Sequence, residues 1–246
     1  MRQCDIHPDC RATVRTIRFD STVAPQGSYL NDVRFTPDSR FAYLSDAGAR
    51  GALVVVDLAS NHARRVLDGH PTTQADPGLV VKVEGRELRR PDGRAAVFNV
   101  DGIAVSPDGK QLYYQALNGR TLYRLPTDAL NDAGLSEAQL DARIERVGPS
   151  EPTDGMWMSS NGQLYITAFQ DNAVKVRQPD GGFTVVAQDA RLRWPDSMAE
   201  GPDGSLYVTA SHIPDMPWFE AGAPAQVATT LWRFSPPPSS GTASAH

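Results

Sequence analysis

The sequence predicts an all-β fold, and three features support this prediction: an internal repeat, a tight turn at the same place in each repeat, and short strands beside that turn. Four segments align without gaps, and they are Asn31–Ser39, Asp101–Gly109, Asp154–Gly162 and Asp196–Gly204. Each ends in a turn signal, in which proline, where present, presets φ and glycine closes the turn. Self-similarity at a period of roughly 40 residues indicates stacked supersecondary units.

Each repeat contains runs of β-branched and aromatic residues that predict strands. The first strand has apolar residues at alternate positions, as Ile103 and Val105 show. A second strand follows the turn in each repeat, at Phe41–Ser45, Leu112–Gln115, Leu164–Thr167 and Leu206–Thr209. Third strands are predicted at Ala52–Asp57, Thr121–Leu125, Ala173–Val176 and Thr230–Phe234, and fourth strands at Ala63–Leu67, Ile144–Val147 and Phe183–Ala187. Such units predict the four-stranded blades of a β-propeller, because a β-sandwich would not repeat the same turn at the same place.

The repeats divide the chain into an irregular N-terminus (1–13), a propeller domain (14–235) and a disordered tail (236–246) rich in Pro, Ser and Ala. Blades start near residues 31, 101, 154 and 196, and Val14–Phe19 is predicted to be one further outer edge strand. Three insertions interrupt the blades: 68–99 with a small hairpin, 128–142 with helical character, and 211–227. The last is too long for an ordinary loop, so we expect it to cover one face.

Composition excludes two classes of partner. The net charge is −5 and the 24 basic residues are spread along the chain, so no basic stripe is available for nucleic acid. No apolar run approaches the roughly 18 residues of a membrane helix, and Met1–Cys10 has no apolar signal-peptide core. We expect a monomer, and the partner that we expect is a small-molecule ligand.

Two cysteines, Cys4 and Cys10, flank His7. A closed zinc site needs about four ligands, and no second cluster of ligands accompanies these three. A local disulfide or two free thiols is the favoured interpretation.

Several stretches of the sequence resemble one family closely. They are Tyr29–Asp32, Tyr43–Ala47, Gly51–Leu58, Arg64–Leu67, His70–Pro71, Asp101–Ala104, Asp154–Trp157 and Leu231–Phe234. Over about residues 14–234 the chain looks like the yellow/major royal jelly protein family, and in particular its bacterial members of the dopachrome-tautomerase-related type.

This resemblance implies a six-bladed propeller that is similar to the gluconolactonase/regucalcin group, and a secreted or periplasmic location. Only about four blades are visible. A propeller must close, because an open blade edge is an unpaired strand. We therefore expect that the chain is a fragment or a mis-started reading frame that lacks N-terminal blades, in preference to a ring closed with fewer blades.

The resemblance to gluconolactonase-like proteins also implies one divalent cation, calcium or magnesium, held by oxygen ligands at the starts of the inner strands. Asn31, Asp101 and Asp154 occupy those positions. Such hard oxygen ligands suit these ions. The relatives take a further Glu from a blade not visible here and usually have Asn in place of Asp101. The alternative is that Asp and Asn simply shape the tight turn before a glycine.

With a metal, the expected chemistry is Lewis-acid activation of a lactone or ketone carbonyl, with Asp154 as general base. Tautomerisation would need only an acid/base pair, for which Asp154 and Asp101 are the candidates.

A second set of residues is predicted to line an aromatic and polar channel mouth suited to a small ring-bearing ligand. Its members are Tyr29, Asp46, Gln115, Phe169, Gln170, Trp194 and His212. Trp157 is a further aromatic residue considered for this mouth. Packing between blades is the alternative for the aromatic residues, and for Trp157 it is the favoured interpretation. His212 is either a proton shuttle or a solvated loop residue.

Three functions follow from these observations, and whether the protein is an enzyme stays open. The first is a small-molecule-binding propeller of the yellow/royal jelly type. The second is a metal-dependent lactonase-like hydrolase or a tautomerase. The third is a protein-interaction propeller.

Overall fold

The computed structural model of the chain describes residues 15–236. Its strands form four antiparallel sheets and one short hairpin, and the sheets are arranged as four blades of a β-propeller. This confirms the predicted fold class. In the part of the chain that is described, no helix is long and apolar enough to cross a membrane.

Blade 1 is a meander of four antiparallel strands, β1 (Leu30–Phe35), β2 (Phe41–Asp46), β3 (Ala52–Asp57) and β4 (His62–Val66). A β-hairpin follows, with strands β5 (Lys82–Val83) and β6 (Arg86–Glu87). It confirms the small hairpin predicted in the first insertion, with shorter strands than expected.

Blade 2 consists of β7 (Val100–Val105), β8 (Gln111–Ala116), β9 (Thr121–Pro126) and β10 (Glu145–Pro149). Two short helices, α1 (Thr127–Asn131) and α2 (Glu137–Asp141), separate β9 from β10, as the helical character of this segment predicts. The second helix begins with a capping box between Ser136 and Gln139, which satisfies backbone N–H groups at its N-terminus.

Blade 3 consists of β11 (Met156–Met158), β12 (Leu164–Ala168), β13 (Ala173–Arg177) and β14 (Phe183–Gln188). Blade 4 has three strands in the described residues, β15 (Pro195–Glu200), β16 (Leu206–Ala210) and β17 (Thr230–Phe234). Each predicted first, second and third strand is present, because the local alternation and turn signals that define them do not depend on distant contacts.

The core lies between neighbouring blades. Blades 1 and 2 enclose Tyr43, Leu53 and Ile103, and blades 3 and 4 enclose Tyr165 and Leu206. The inner strands also pack in sequence, β1 on β7, β7 on β11 and β11 on β15. This packing brings the beginnings of the inner strands together at one end of the blades.

The two long insertions pack together over that region. Val81, Leu88 and Phe98 of the first insertion share one apolar cluster with Ile213 and Phe219 of the last insertion. The same cluster contains Phe169 and Trp194 from blades 3 and 4. The expectation that residues 211–227 cover one face is therefore confirmed.

One predicted strand is not formed. The described part of Val14–Phe19, residues 15–19, has no strand structure. Ile17 and Phe19 instead pack against blade 1, and the carboxylate of Asp20 accepts the N–H of Thr22, which turns the chain. The cysteines, His7, most of the N-terminus and residues 237–246 lie outside the described residues.

Candidate functional site

Four aspartates meet where the inner strands begin, and we call this group the acidic centre: Asp32, Asp101, Asp154 and Asp196. The Asn31 side chain donates a hydrogen bond to Asp101, and a further hydrogen bond joins Asp101 to Asp154. The charge of Asp196 acts on each of the other three carboxyl groups. One aspartate from each blade therefore contributes to the same electrostatic environment.

β-Bulges give these aspartates their positions. The strand register shifts at Asn31–Asp32 in β1, at Asp101–Gly102 in β7 and at Asp196–Ser197 in β15. Bulges change the direction of side chains and are common beside active sites. In blade 3 the strand begins only at Met156, just beyond Asp154.

Hydroxyl groups on the second strands support these irregular segments. Ser45, Thr167 and Thr209 each accept a backbone N–H from the residue that follows the repeat's first Asn or Asp. Gln115 occupies the equivalent place in blade 2. Its side chain donates to the Glu151 carbonyl instead, at 2.7 Å, while its buried Oε1 has no partner among the described residues.

Close packing of the inner strands needs two glycines. A Cβ at Gly102 would lie 2.7 Å from the carbonyl oxygen of Asp154, and one at Gly155 would lie 2.1 Å from that of Asp196. Neither glycine has a positive φ. At these two positions glycine therefore permits the backbones of neighbouring blades to approach closely.

Burial and mutual repulsion change the acidity of the centre. Asp101 and Asp154 are 3% and 4% exposed. Burial, followed by the charges of Asp32 and Asp196, raises the pKa of Asp101 well above its usual range. Burial and the charges of Asp196 and Asp101 do the same to the pKa of Asp154. Burial also raises the pKa of Asp196, against hydrogen bonds from Ser197 and Ser211.

Asp32 is the member of the centre that has an ion-pair partner within residues 15–236. Burial raises its pKa to about 6, and the charge of Arg34 opposes this increase. The guanidinium of Arg34 lies 3.1 Å from the Asp32 carboxylate, donates to the Met156 carbonyl and lies over the Trp157 ring. One arginine faces four carboxyl groups, so three of them have no ion-pair partner among the described residues.

Trp194 forms the buried wall of the acidic centre. Its Nε1 donates to Asp154, and its ring stacks on Phe169 with 4.2 Å between ring centroids. Trp194 and His212 have positive φ angles of 54° each, which is unusual for bulky residues and is often found at functional sites. The Trp194 N–H thus occupies one acceptor position of the Asp154 carboxyl group.

A cavity of about 470 Å³, the mouth cavity, opens beside this centre. It is lined by Tyr29, Ala47, Gly48, Ala49, Arg90, Val97, Phe98, Asn99 and Trp218. Tyr29 and Trp218 are 51% and 54% exposed. Burial raises the pKa of the Tyr29 hydroxyl, and so do the charges of Asp101, Asp154 and Asp196, which places the cavity within the field of the acidic centre.

The structure places the other predicted ligand residues in the scaffold. Asp46 is fully buried and ion-paired to Arg65, while Phe169 lies under Trp194. Gln170 accepts the N–H of Lys82, and His212 lies 3.5 Å from Asp215. Of the predicted set, Tyr29 lines the mouth cavity, Trp194 contacts the acidic centre and Gln115 is buried. Contacts of all seven residues with a ligand stay predictions.

Sequence reasoning missed four residues of this region: Asp32, Asp196, Arg90 and Trp218. Asp196 begins the fourth repeat in register with Asp101 and Asp154, so the alignment contained the signal for it. Asp32 occupies the repeat position at which the next two repeats have glycine. Arg90 and Trp218 lie in insertions, whose paths no periodicity describes.

The donor set has the hard oxygens that calcium or magnesium prefers. In the arrangement described, however, Asn31, Asp101 and Asp154 form bonds to one another or to Trp194. Within residues 15–236, no group of three or more His, Cys, Asp or Glu side chains is arranged to hold a metal ion. A cation would therefore require these side chains to rearrange.

A model of the major royal jelly protein family matches residues 4–218 of the chain. A search of curated proteins found no match. Among solved structures, a gluconolactonase from Xanthomonas campestris aligns with a TM-score of 0.51 at 14% identity, covering 83% of this chain and 60% of its own. A calcium-binding protein, regucalcin, from Agrobacterium tumefaciens aligns with a TM-score of 0.48 at 18% identity, covering 75% and 54%.

The chain thus spans less than two thirds of the length of these two structures. At such identities the likeness concerns the fold alone, and the gluconolactonase alignment agrees with a propeller. The family match extends over most of the chain, from before the first blade to the insertion that contains Trp218. This chain belongs to the major royal jelly protein family.

Proposed function

We propose that this protein binds a small, ring-bearing organic molecule in the mouth cavity. The observation that carries the proposal is the cavity itself, about 470 Å³ with Tyr29, Phe98 and Trp218 in its walls. Its volume falls within the range of roughly 300–1,000 Å³ that is common for small-molecule sites. Half-exposed aromatic side chains supply flat apolar surfaces against which a ring can stack.

Charge adds a second criterion for the ligand. Arg90 in the wall suits a carboxylate or another acceptor group. The side next to Tyr29 lies in the field of the acidic centre and suits a cationic or hydrogen-bond-donating group. A planar ring that carries such groups at separate ends fits both features.

The test is calorimetric titration with four probes that share one ring: indole, tryptamine, indole-3-acetate and tryptophan. We expect at least one charged probe to bind more tightly than indole. Trp218→Ala should weaken that binding by roughly tenfold or more, because stacking surface is lost. The matched control is Phe35→Ala, since Phe35 is 56% exposed and lies outside the mouth cavity.

Two results would contradict this proposal. One is that none of the four probes binds to the parent protein. The other is that Trp218→Ala and Phe35→Ala have equal effects, which would place the binding site elsewhere.

A second candidate function, metal-dependent lactone hydrolysis or tautomerisation, is favoured by the acidic centre. Buried carboxyl groups with raised pKa values are typical of acid/base catalysts, and Asp154 and Asp101 are the candidates here. Asn31, Asp101 and Asp154 would hold the ion after releasing their present bonds. A bound calcium or magnesium ion would supply Lewis-acid activation of a carbonyl group.

Thermal melts distinguish this candidate. With excess calcium, compared with chelator, the midpoint of the parent should rise, because an ion that binds only the folded state stabilises it. Asp154→Ala should abolish the increase, whereas Asp203→Ala, at an exposed aspartate, should retain it. A cooperative melt that calcium does not change would exclude the metal-dependent activity and leave the mouth-cavity proposal intact.

A further inference from the structure

We infer that a second cavity, between blades 2 and 3, binds an organic carboxylate with an apolar body. This cavity has a volume of about 570 Å³ and shares no lining residue with the mouth cavity. Strands β9 and β10 of blade 2 supply Leu122, Arg124 and Val147. Strands β12 and β13 of blade 3 supply Leu164 and Arg177. We call it the interblade cavity.

Arg177 is the cationic group of the interblade cavity. Its Nε is shielded from solvent and has no hydrogen-bond partner in the described part of the chain. No ion pair of Arg177 is formed there either. A guanidinium nitrogen that is shielded from water and has no partner is unfavourable, and an anion that contacts the guanidinium gains a strong, charge-assisted interaction. Two glycines leave it space, because Cβ atoms at Gly148 and Gly181 would lie 3.2 and 3.1 Å from its terminal nitrogen.

The second arginine of the cavity is already neutralised. Arg124 donates to the Glu145 carboxylate at 2.9 and 2.6 Å, and it lies 3.4 Å from the Tyr113 hydroxyl. Gln163 accepts hydrogen bonds from Tyr165 and Asn161 through Oε1, so its Nε2 group remains a donor. The cavity therefore has one uncompensated positive charge, which matches a single carboxylate.

The remaining wall of the interblade cavity is apolar. Leu122 and Leu164 are buried, and Val147 and Met158 are half-buried in the same apolar cluster between the blades. A bare inorganic anion would leave this wall in contact with water. Burial of apolar ligand surface contributes roughly 25 cal/mol per Å², so a carboxylate with a hydrocarbon body uses both parts of the cavity.

Calorimetry on the whole chain with octanoate, octanol and inorganic phosphate tests the inference. We expect octanoate to bind, and octanol and phosphate to bind more weakly by roughly tenfold or more, since each lacks one of the two features. Arg177→Gln should lose octanoate binding to a similar extent, and Arg177→Lys should retain part of it. Arg191→Gln is the control, because Arg191 is exposed and paired to Asp189.

A second variant keeps the test valid if Arg177→Gln folds poorly. Val147→Phe should fill the interblade cavity and block octanoate without removing a charge. Trp218→Ala in the mouth cavity should leave octanoate binding unchanged. The inference is overturned if octanoate does not bind, if Val147→Phe leaves its affinity unchanged, or if octanol or phosphate binds as tightly as octanoate.

Discussion

The molecule contains buried aspartates of two kinds. Asp46 in blade 1 and Asp154 in the acidic centre are both almost inaccessible to water. Burial raises the pKa of Asp46, but hydrogen bonds from Ser28, Arg65 and two backbone N–H groups outweigh it, so that the pKa is lowered. Burial raises the pKa of Asp154 and neighbouring carboxyl charges raise it further.

The difference shows that burial alone does not determine the charge of a carboxyl group in this fold. The groups that hydrogen-bond to the carboxyl group or lie beside it as charges determine whether it is ionised. Asp46 has a cation at 2.5 Å and joins β2 to β4, which is a structural role. The acidic centre has one arginine for four carboxyl groups, which is unfavourable for stability and typical of a functional site.

The largest expected effect is the loss of the cation beside Asp46. Arg65→Ala should reduce the free energy of unfolding by about 3–5 kcal/mol, because it leaves a buried carboxylate without its partner. Urea denaturation measures this change. Arg50→Ala is the control, since Arg50 forms an exposed pair with Asp68. Equal losses in the two variants would show that the Asp46 pair has no special role.

Removing a charge from the acidic centre should increase stability, in contrast to the loss expected at Asp46. Asp154→Asn keeps an acceptor for the Trp194 N–H but removes the carboxyl group that burial makes unfavourable to ionise. We expect the free energy of unfolding at neutral pH to rise, because the amide has no charge that burial and the neighbouring carboxylates would disfavour. Asp46→Asn, measured in parallel by urea denaturation, should lower it. A destabilised Asp154→Asn would contradict the assignment.

The two kinds of buried aspartate should also differ in how they make the stability of the protein depend on pH. Asp32 has a folded-state pKa of about 6 and an ordinary value of 3.8, so between these values the folded state binds more protons than the unfolded state. Its contribution to stability is therefore present at low pH and is lost as pH rises towards 6. Relative to the parent, Asp32→Asn should gain stability, on the order of 2–3 kcal/mol, as pH rises from 4 to 7.

Urea denaturation of both proteins at four pH values gives this difference directly. Asp46 should behave inversely, because its lowered pKa makes its contribution disappear as pH falls. A difference between parent and Asp32→Asn that does not vary with pH would rule out a raised pKa for Asp32.

The smallest effect is expected at an exposed aspartate. Asp203 pairs with Arg233 at 2.6 Å, and both side chains are at least half exposed. Solvent and salt screen such pairs, and Asn in this position can still accept the Ser205 N–H. Asp203→Asn should therefore melt with the parent within experimental error. A clear decrease would mean that exposed pairs also stabilise blade 4.

Much of this arrangement follows from local signals in the sequence. The turn after Val105 and the alternation before it define β7, and the repeat register alone places Asp101 beside Asp154. The pairing of Asp46 with Arg65 depends on the alignment of strands that are far apart along the chain, which a local pattern does not contain. The prediction of an outer edge strand at Val14–Phe19 is wrong for its described residues, because a turn at Asp20 directs Ile17 and Phe19 onto blade 1 instead.

Gly102 and Gly155 also determine how closely neighbouring blades approach one another. At the junctions between blades 2 and 3 and between blades 3 and 4, a single hydrogen atom fills the space between backbones. At the first junction the carboxylate of Asp32, which faces the Ile103 N–H, fills the corresponding position. The approach of the blades is therefore limited by one hydrogen atom at two junctions and by a side chain at the first junction. A methyl group at Gly155 would push blades 3 and 4 apart, because its carbon would lie 2.1 Å from the Asp196 carbonyl oxygen.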